Sequence, residues 1–179
     1  MADAHWFPRP ADADEIPALE ALIRRSARGL SRGHYSDREV DAAIAHVFGV
    51  DSELIADRTY LLIEESGRPI ACGGWSRRRT LFGGDNFAAR DDALLDPARD
   101  AARIRAFFVD PDHARRGLGA ALLAACEGAA AAAGFGALEL MATLPGVSFY
   151  TQAGFRPDEP IIYDAGGTPL RFVPMRKLL

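Results

Sequence analysis

A short glycine-rich segment in the second half of the chain has the composition of an anion-binding loop. Gly117 and Gly119 lie between an apolar stretch and an alanine-rich helical pattern, with Arg115 and Arg116 just before them. Glycines allow a close approach to phosphate, and the N–H groups at a helix start point towards the ligand. The motif alone fits an anion site and a simple helix start equally well. It lacks the GxxxxGK[ST] pattern of a P-loop, and Leu122 replaces the third glycine of GxGxxG.

A second candidate for binding chemistry lies at the end of a predicted strand. Trp75 is followed closely by Arg77, Arg78 and Arg79 at the start of a long polar stretch. An aromatic ring with a guanidinium could hold an aromatic or anionic acceptor, and the arginines could instead reach a phosphate. A buried tryptophan beside a solvated turn explains the same residues. Tyr35, between the first two predicted helices, marks a second candidate substrate contact.

Hydrophobic periodicity predicts the elements that position these residues. The first half is predicted to contain a short strand at 6–9, helices ending near residues 29 and 49, and a hairpin of strands 60–64 and 69–76, followed by a long excursion at 77–100. The second half is predicted to contain a strand around 104–109, a helix at 120–133, a strand at 137–143, a short helix at 146–152 and a closing hairpin between 161 and 175. The strand, loop, helix and strand between residues 104 and 143 imply parallel pairing. Pro174 suggests that the last strand lies at an edge or bulges. These patterns predict one α/β domain, residues 1–179, with a mixed sheet.

Composition limits the class of protein. The 179 residues are 49% hydrophobic and 26% charged, with a formal net charge of −4, which fits one domain with a core and argues against nucleic-acid binding. No apolar run is long enough to span a membrane, and the polar opening Met1–His5 is unlike a signal peptide, so we expect a cytoplasmic protein. Cys72 and Cys126 cannot build a disulfide framework, and no ligand spacing predicts a metal site.

Two motifs, in this order, resemble the signatures of the GNAT superfamily of acyl-CoA-dependent N-acetyltransferases. The first runs from Phe107 to Ala120 and reads FFVDPDHARRGLGA, where the family has [Q/R]-x-x-G-x-[G/A]. The second runs from Phe149 to Phe155 and reads FYTQAGF, where the family has F-Y-x-x-x-G-F. The predicted element order also matches the family fold. Two positions depart from the pattern: Ala114 replaces the first Gln or Arg, and Thr143 replaces a frequent Asn.

The resemblance implies a fold, a cosubstrate and a reaction. The fold is a mostly antiparallel sheet with helices on both faces, and its central parallel strand pair splays to bind acetyl-CoA. The implied acetyl-CoA contacts are Phe107, Phe108, Val109, Arg115, Arg116, Gly117, Leu118, Gly119, Ala120 and Thr143. Tyr150 is implied as the catalytic residue, with its hydroxyl near the CoA sulfur. The expected reaction is acetyl transfer to a primary amine of a small molecule, and a homodimer through residues 161–175 is a further expectation. Candidate substrate contacts from the residues themselves are Tyr35, Trp75 and Arg77.

The general base stays open at this stage. Some family members have a glutamate twelve residues before the tyrosine, but Leu138 stands there, and Glu139 should face the other side of its strand. The side chains chemically capable of acting as the base are Glu64, Glu65, Asp110 and His113. A chain of waters that carries the proton away is an equally good candidate. The alternative functions are a non-catalytic acyl-CoA-binding or regulatory domain and a protein N-acetyltransferase.

Overall fold

The computed structural model describes residues 6–179, so the opening Met1–His5, on which the argument about a signal peptide depends, lies outside the described residues. The helices are α1 (Ile16–Leu30), α2 (Asp37–His46), α3 (Ser52–Ala56), α4 (Leu118–Ala132) and α5 (Val147–Gln152). The strands are β1 (Arg9–Pro10), β2 (Tyr60–Glu65), β3 (Arg68–Ser76), β4 (Ala102–Val109), β5 (Ala137–Thr143), β6 (Arg156–Pro157), β7 (Ile161–Asp164) and β8 (Pro169–Leu178).

One mixed sheet organises these elements. Its order is β1-β2-β3-β4-β5-β8-β6, with β7 also paired to β8, and every pair is antiparallel except β4 with β5. Helix α1 packs on β3 and β4 through Leu19, Leu22 and Ile23. Helix α4 packs on the same strands from the opposite face, with Leu118 and Leu122 in its contact. The predicted α/β fold, mostly antiparallel with helices on both faces, is confirmed.

The parallel pair separates almost as soon as it forms. Strands β4 and β5 form only two residue pairs, Ala102 with Leu138 and Arg103 with Glu139. Beyond these two pairs each strand continues without the other as a neighbour, β4 to Val109 and β5 to Thr143. The predicted splay is therefore present. It leaves backbone groups of both strands facing a gap in the middle of the sheet.

Strand β8 corrects the prediction made from Pro174. The strand is internal, because β5 pairs along one side of it and β7 and β6 pair in turn along the other. Pro174 falls between the segment paired to β7 and the segment paired to β6. On that side its carbonyl accepts the N–H of Asp158 (2.9 Å). The nitrogen and carbonyl of one strand residue point to the same side, so the missing N–H faces this break.

The predicted excursion at 77–100 has no helix or strand of its own apart from an isolated bridge between Arg78 and Leu94. Buried charges attach it to the sheet. Arg105 of β4 donates to the carbonyl of Gly83 (2.5 Å) and pairs with Asp51 (2.5 Å between Nη2 and Oδ2), and both side chains are buried. Arg90 donates to the carbonyl of Gly84 (2.9 Å) and to Asp51 (2.9 Å). The buried carboxylate of Asp51 thus holds both Arg105 and Arg90 against the excursion over β4.

Both cysteines are core residues. Cys72 and Cys126 are buried, and burial raises the pKa of each thiol to about 12. A thiol with so high a pKa holds almost no thiolate at neutral pH, so it is a poor nucleophile. Within residues 6–179 no helix is both long enough and apolar enough to cross a membrane.

Candidate functional site

A cleft of about 620 Å³ lies where β4 and β5 separate. Its walls come from both faces of the sheet. On the α4 face they include the loop before α4 and Tyr150 of α5, and on the α1 face they include Ser26 of α1 and Phe48 beyond α2. The cleft therefore passes through the sheet from one face to the other.

A β-bulge in β4 shapes one wall of the cleft. Cys72 is paired with Phe108 and Gly74 with Arg105, so Ala106 and Phe107 together lie opposite Gly73. Ala106 has φ of 54°, the left-handed conformation that non-glycine residues rarely adopt. The Tyr60 hydroxyl donates to the Ala106 carbonyl (3.1 Å) and holds the bulge from the α1 face. Two glycines inside an apolar strand were a signal for this bulge that the sequence interpretation did not use.

Gly73 is the position that allows the bulge. A Cβ atom built there would lie 2.4 Å from the Phe107 ring. We predict that Gly73→Ala lowers the free energy of unfolding by about 1–3 kcal/mol, because overpacking forces Phe107 and the bulge to move. Gly128→Ala is the matched control. It lies inside α4 with no atom within 4 Å of the new Cβ, and it should raise stability by about 0.5–1 kcal/mol. Urea unfolding of the three proteins measures both effects, and equal stability of Gly73→Ala and wild type would contradict this account of the bulge.

The bulge and the strand separation direct backbone groups of β4 towards the cleft. The N–H of Asp110 donates to Ile70 of β3 (2.8 Å), so the N–H of Val109, one residue earlier, points the other way. It donates to the Ser26 hydroxyl (3.2 Å). Phe107 and Phe108 point to opposite faces: Phe107 packs on the α4 side and Phe108 on the α1 side. All three predicted strand residues therefore line the cleft.

The loop before α4 has the geometry of an anion site. Arg115 has φ of 65° and Gly117 has φ of 84°, and Gly117 is the N-cap of the 15-residue α4. Left-handed residues that alternate with right-handed ones turn successive N–H groups to one side, and the helix start adds a favourable field for negative charge. Leu118 is buried and fixes the loop to the sheet. The residues present fit a diphosphate.

Arg116 points away from the cleft, unlike the other predicted loop residues. Its guanidinium lies over the Trp6 ring (5.1 Å to the ring centroid) and 3.4 Å from Glu65. Its carbonyl accepts the indole N–H of Trp6 (2.8 Å). Arg116 thus holds the loop against the β2–β3 hairpin, and Arg115 is the arginine that lines the cleft.

Tyr150 lies in the cleft wall on the α4 face. Its ring is 9% exposed and makes edge contacts with Phe107, Phe149 and Phe155, at 6.3, 4.9 and 5.6 Å between ring centroids. Burial raises the pKa of its hydroxyl above the ordinary value of 10. The hydroxyl is therefore a neutral hydrogen-bond donor at physiological pH.

Most predicted cofactor residues line this one cleft, whereas the predicted substrate residues do not. Those brought together are Phe107, Phe108, Val109, Arg115, Gly117, Leu118, Gly119, Ala120, Thr143 and Tyr150. Trp75 is 8% exposed and packs edge-on against Phe135 in the core of the α4 face, and Arg77 is exposed outside the cleft. The Tyr35 hydroxyl donates to the carbonyl of Arg171 (2.5 Å) and accepts the N–H of Leu144 (3.0 Å), so it joins the turn before α2 to β8 and to the end of β5.

The predicted candidates for the general base also lie outside the cleft wall. Asp110 is 1% exposed and accepts hydrogen bonds from Arg25 (3.1 Å) and Arg68 (2.7 Å). Burial by itself raises the pKa of Asp110, but hydrogen bonds from the Asp112 N–H, Arg25 and His113 bring the pKa below its ordinary range. His113 is 3.0 Å from Glu65. These groups form a network that ties the loop to α1 and the hairpin.

The α1 face contributes cleft residues that the sequence interpretation missed. They come from α1, from residues 47–49, from residues 81–84 of the excursion, and from β5 and β8; the main ones are Ser26, Phe48, Phe82, Met141 and Phe172. His34, which lies beside the predicted Tyr35, also lines the cleft on this face. No spacing connects them, because each comes from a different element. A signal was present only in the excursion itself, since long loops in compact domains are often functional.

Comparison with known proteins gives the same assignment as the motifs. The family model described as an acetyltransferase (GNAT) domain matches residues 89–179. Comparison with curated protein sequences gives no match.

Solved structures show the same fold. A GCN5-related N-acetyltransferase from Rhodopseudomonas palustris is 22% identical, over 100% of this chain and 99% of that chain, with a TM-score of 0.75. The PaiA N-acetyltransferase from Thermoplasma acidophilum, solved in complex with coenzyme A, is 15% identical over 98% and 99% of the two chains, with a TM-score of 0.65. A ribosomal-protein-alanine N-acetyltransferase from Brucella melitensis is 16% identical over 97% and 99%, with a TM-score of 0.63.

Proposed function

The chain belongs to the GNAT acetyltransferase family, and from that premise we propose that residues 1–179 form one domain that moves an acetyl group from acetyl-CoA to a primary amine of a small molecule. The observation that carries the proposal is the gap between β4 and β5 with a left-handed loop and a helix start at its mouth. Such a gap offers strand N–H groups to an amide-bearing arm. The loop offers N–H groups to the diphosphate at the arm's end.

The chemistry requires little from the protein beyond positioning and one donor. The thioester of bound acetyl-CoA supplies an activated carbonyl. The amine nitrogen forms the new bond to the carbonyl carbon, the carbon–sulfur bond breaks with its electron pair on sulfur, and the nitrogen releases one proton. Charge thus develops on sulfur as the bond breaks, and a donor close to that atom lowers the barrier.

Tyr150 is the residue that we assign to this donor role. A tyrosine with an ordinary pKa of about 10 is already a weaker acid than a thiol of about 8.5, and burial raises the pKa of Tyr150 further. Complete proton transfer to sulfur is therefore uphill, whereas a hydrogen bond to the thiolate is favourable. The proton from the nitrogen goes to solvent or to His34, an imidazole in the cleft wall on the α1 face.

The first experiment is titration calorimetry with acetyl-CoA, comparing wild type with Gly117→Ala and Gly67→Ala. Both glycines have positive φ, 84° and 74°, and neither has an atom within 4 Å of a built Cβ. Both substitutions should therefore carry similar backbone strain, of about 1–2 kcal/mol. Only Gly117→Ala should weaken acetyl-CoA binding, by about tenfold if the strain is relieved by moving the loop.

Three results would contradict different parts of the proposal. Failure of wild type to bind acetyl-CoA at sub-millimolar concentration would overturn it. Equal affinity of the two variants would remove the loop as the diphosphate site. Binding without acetylation of any amine would favour the non-catalytic alternative. The homodimer and the cytoplasmic location stay predictions.

A further inference from the structure

The part of the cleft on the α1 face is lined by four phenylalanines, which we call the aromatic wall: Phe48, Phe82, Phe108 and Phe172. Their rings make a continuous series of contacts. Phe108 contacts Phe48 (5.5 Å between centroids), Phe48 contacts Phe172 (6.5 Å), and Phe172 contacts Phe82 (5.6 Å). Strands β4 and β8, the loop after α2 and the excursion supply one ring each, so the fold assembles this wall from distant parts of the chain.

The aromatic wall lies on the acceptor side of the gap. Phe108 packs with the α1 core, and Phe48, Phe82 and Phe172 pack with the adjoining core of α2 and β8. The loop before α4 and Tyr150 belong to the other face. If the donor occupies the α4 side, the amine must approach the thioester from the side of the aromatic wall.

The rings keep apolar surface available to a ligand. Phe48, Phe82 and Phe108 are only half-buried, although they lie in a concave site, whereas Phe172 is buried behind them. Apolar surface retained in a cleft is typical of a site that takes an apolar group. Ring edges and faces arranged in this way favour another aromatic ring, because edge-to-face contacts add to the burial.

The charges around the cleft exclude a polycationic acceptor. Among the described residues that line it there is no aspartate, glutamate or lysine, and the ionisable side chains are His34, Arg105 and Arg115, besides Tyr150. The charge of Arg105 is already paired with the buried Asp51. A second ammonium group on the acceptor would therefore meet no carboxylate and would lose its hydration. Apolar surroundings also lower the pKa of the reacting amine, so its neutral, nucleophilic form is favoured without a carboxylate base.

We propose that the acceptor is a primary amine attached to an aromatic ring through a short linker, with no second cationic group, and that the aromatic wall binds the ring. This inference rests on the proposed acetyl transfer and names its substrate class. It explains why the excursion is held down by the Asp51 ion pairs, since they place Phe82 in the wall through the neighbouring Gly83 and Gly84.

The test measures acetyl transfer from acetyl-CoA to four amines: phenethylamine, ethanolamine, spermidine and a short peptide with a free N-terminal alanine. We expect kcat/KM for phenethylamine to exceed that for each of the others by at least about tenfold. A preference for spermidine or the peptide would overturn the inference and leave acetyl transfer intact. A preference for hexanoyl-CoA as donor, with no preference among amines, would assign the aromatic wall to the acyl chain and would also overturn it. Absence of transfer to every amine would overturn the proposed function itself.

Variants of the aromatic wall make the test specific. Phe82→Ala should raise KM for phenethylamine by about tenfold and leave KM for ethanolamine and the affinity for acetyl-CoA unchanged. Phe82→Leu keeps most of the volume and covers the case in which the alanine variant folds poorly. Leu94→Ala is the control, because Leu94 belongs to the same excursion, is 62% exposed and lies outside the cleft. An equal loss for phenethylamine and ethanolamine in both Phe82 variants would contradict a role in binding the ring.

Discussion

Tyr150→Phe is expected to lower kcat for acetyl transfer by about a hundredfold, while acetyl-CoA binds with unchanged affinity. The phenyl ring keeps the edge contacts with Phe107, Phe149 and Phe155, and only the hydroxyl that we propose as donor to the leaving sulfur is lost. Steady-state kinetics and calorimetry on the same preparations separate the two effects. Tyr163→Phe is the control, because Tyr163 itself does not line the cleft and the substitution keeps its ring contacts with Phe82 and Phe87, so full activity is expected.

The pH profile tests whether the Tyr150 hydroxyl stays protonated in the working range. Because burial raises the pKa of this hydroxyl above 10, it stays protonated throughout the range from pH 6 to about 9.5 in which the enzyme can be assayed. The plots of kcat against pH for wild type and Tyr150→Phe should therefore have the same shape, with the kcat of the variant lower at every pH. Loss of an alkaline limb in the variant would mean that Tyr150 ionises in the working range. Parallel losses of kcat and acetyl-CoA affinity would mean a packing role instead.

Asp51→Asn is expected to cost about 3–5 kcal/mol of unfolding free energy, the largest stability effect that the structure indicates. The substitution keeps the size of the side chain but leaves the buried Arg105 without its counter-charge. It also removes one of the two carboxylates that pair with Arg90, and leaves only Glu53. Denaturant unfolding followed by tryptophan fluorescence measures the loss.

A second readout locates the damage. Asp51 holds the excursion at 77–100, so trypsin should cut native Asp51→Asn at Arg77–Arg79 faster than it cuts wild type. Asp41→Asn is the matched control: its carboxylate pairs with Arg28, both side chains are more than half exposed, and the change should be within about 1 kcal/mol. Equal stability of the two variants would show that the buried pair contributes nothing measurable.

The donor half of the site could be predicted from sequence, because its residues are contiguous. The segment from Phe107 to Ala120 is one strand end, one loop and one helix start, so a local pattern contains nearly the whole of the proposed diphosphate site. The start of α2 is local in the same way, because Ser36 and Glu39, three residues apart, bond reciprocally as a capping box. The prediction missed α3, whose five residues are too few to show a period, and β6, whose two residues are defined only by pairing with β8.

The acceptor half could not be predicted in this way, because its residues meet only in the folded chain. Phe48, Phe82, Phe108 and Phe172 are each an ordinary core aromatic in sequence, and tertiary packing alone brings them together. Trp75 shows the converse error. Its neighbours suggested a binding site, but strand alternation turned it into the core of the α4 face.

The short parallel pairing of β4 and β5 has a consequence for the order of events in catalysis. Because the strands stay together for only two residue pairs, the opening between them passes through the sheet. Under the proposed function, donor and acceptor would then enter from opposite faces and could occupy the protein at the same time. Such an arrangement would need no acetylated protein intermediate.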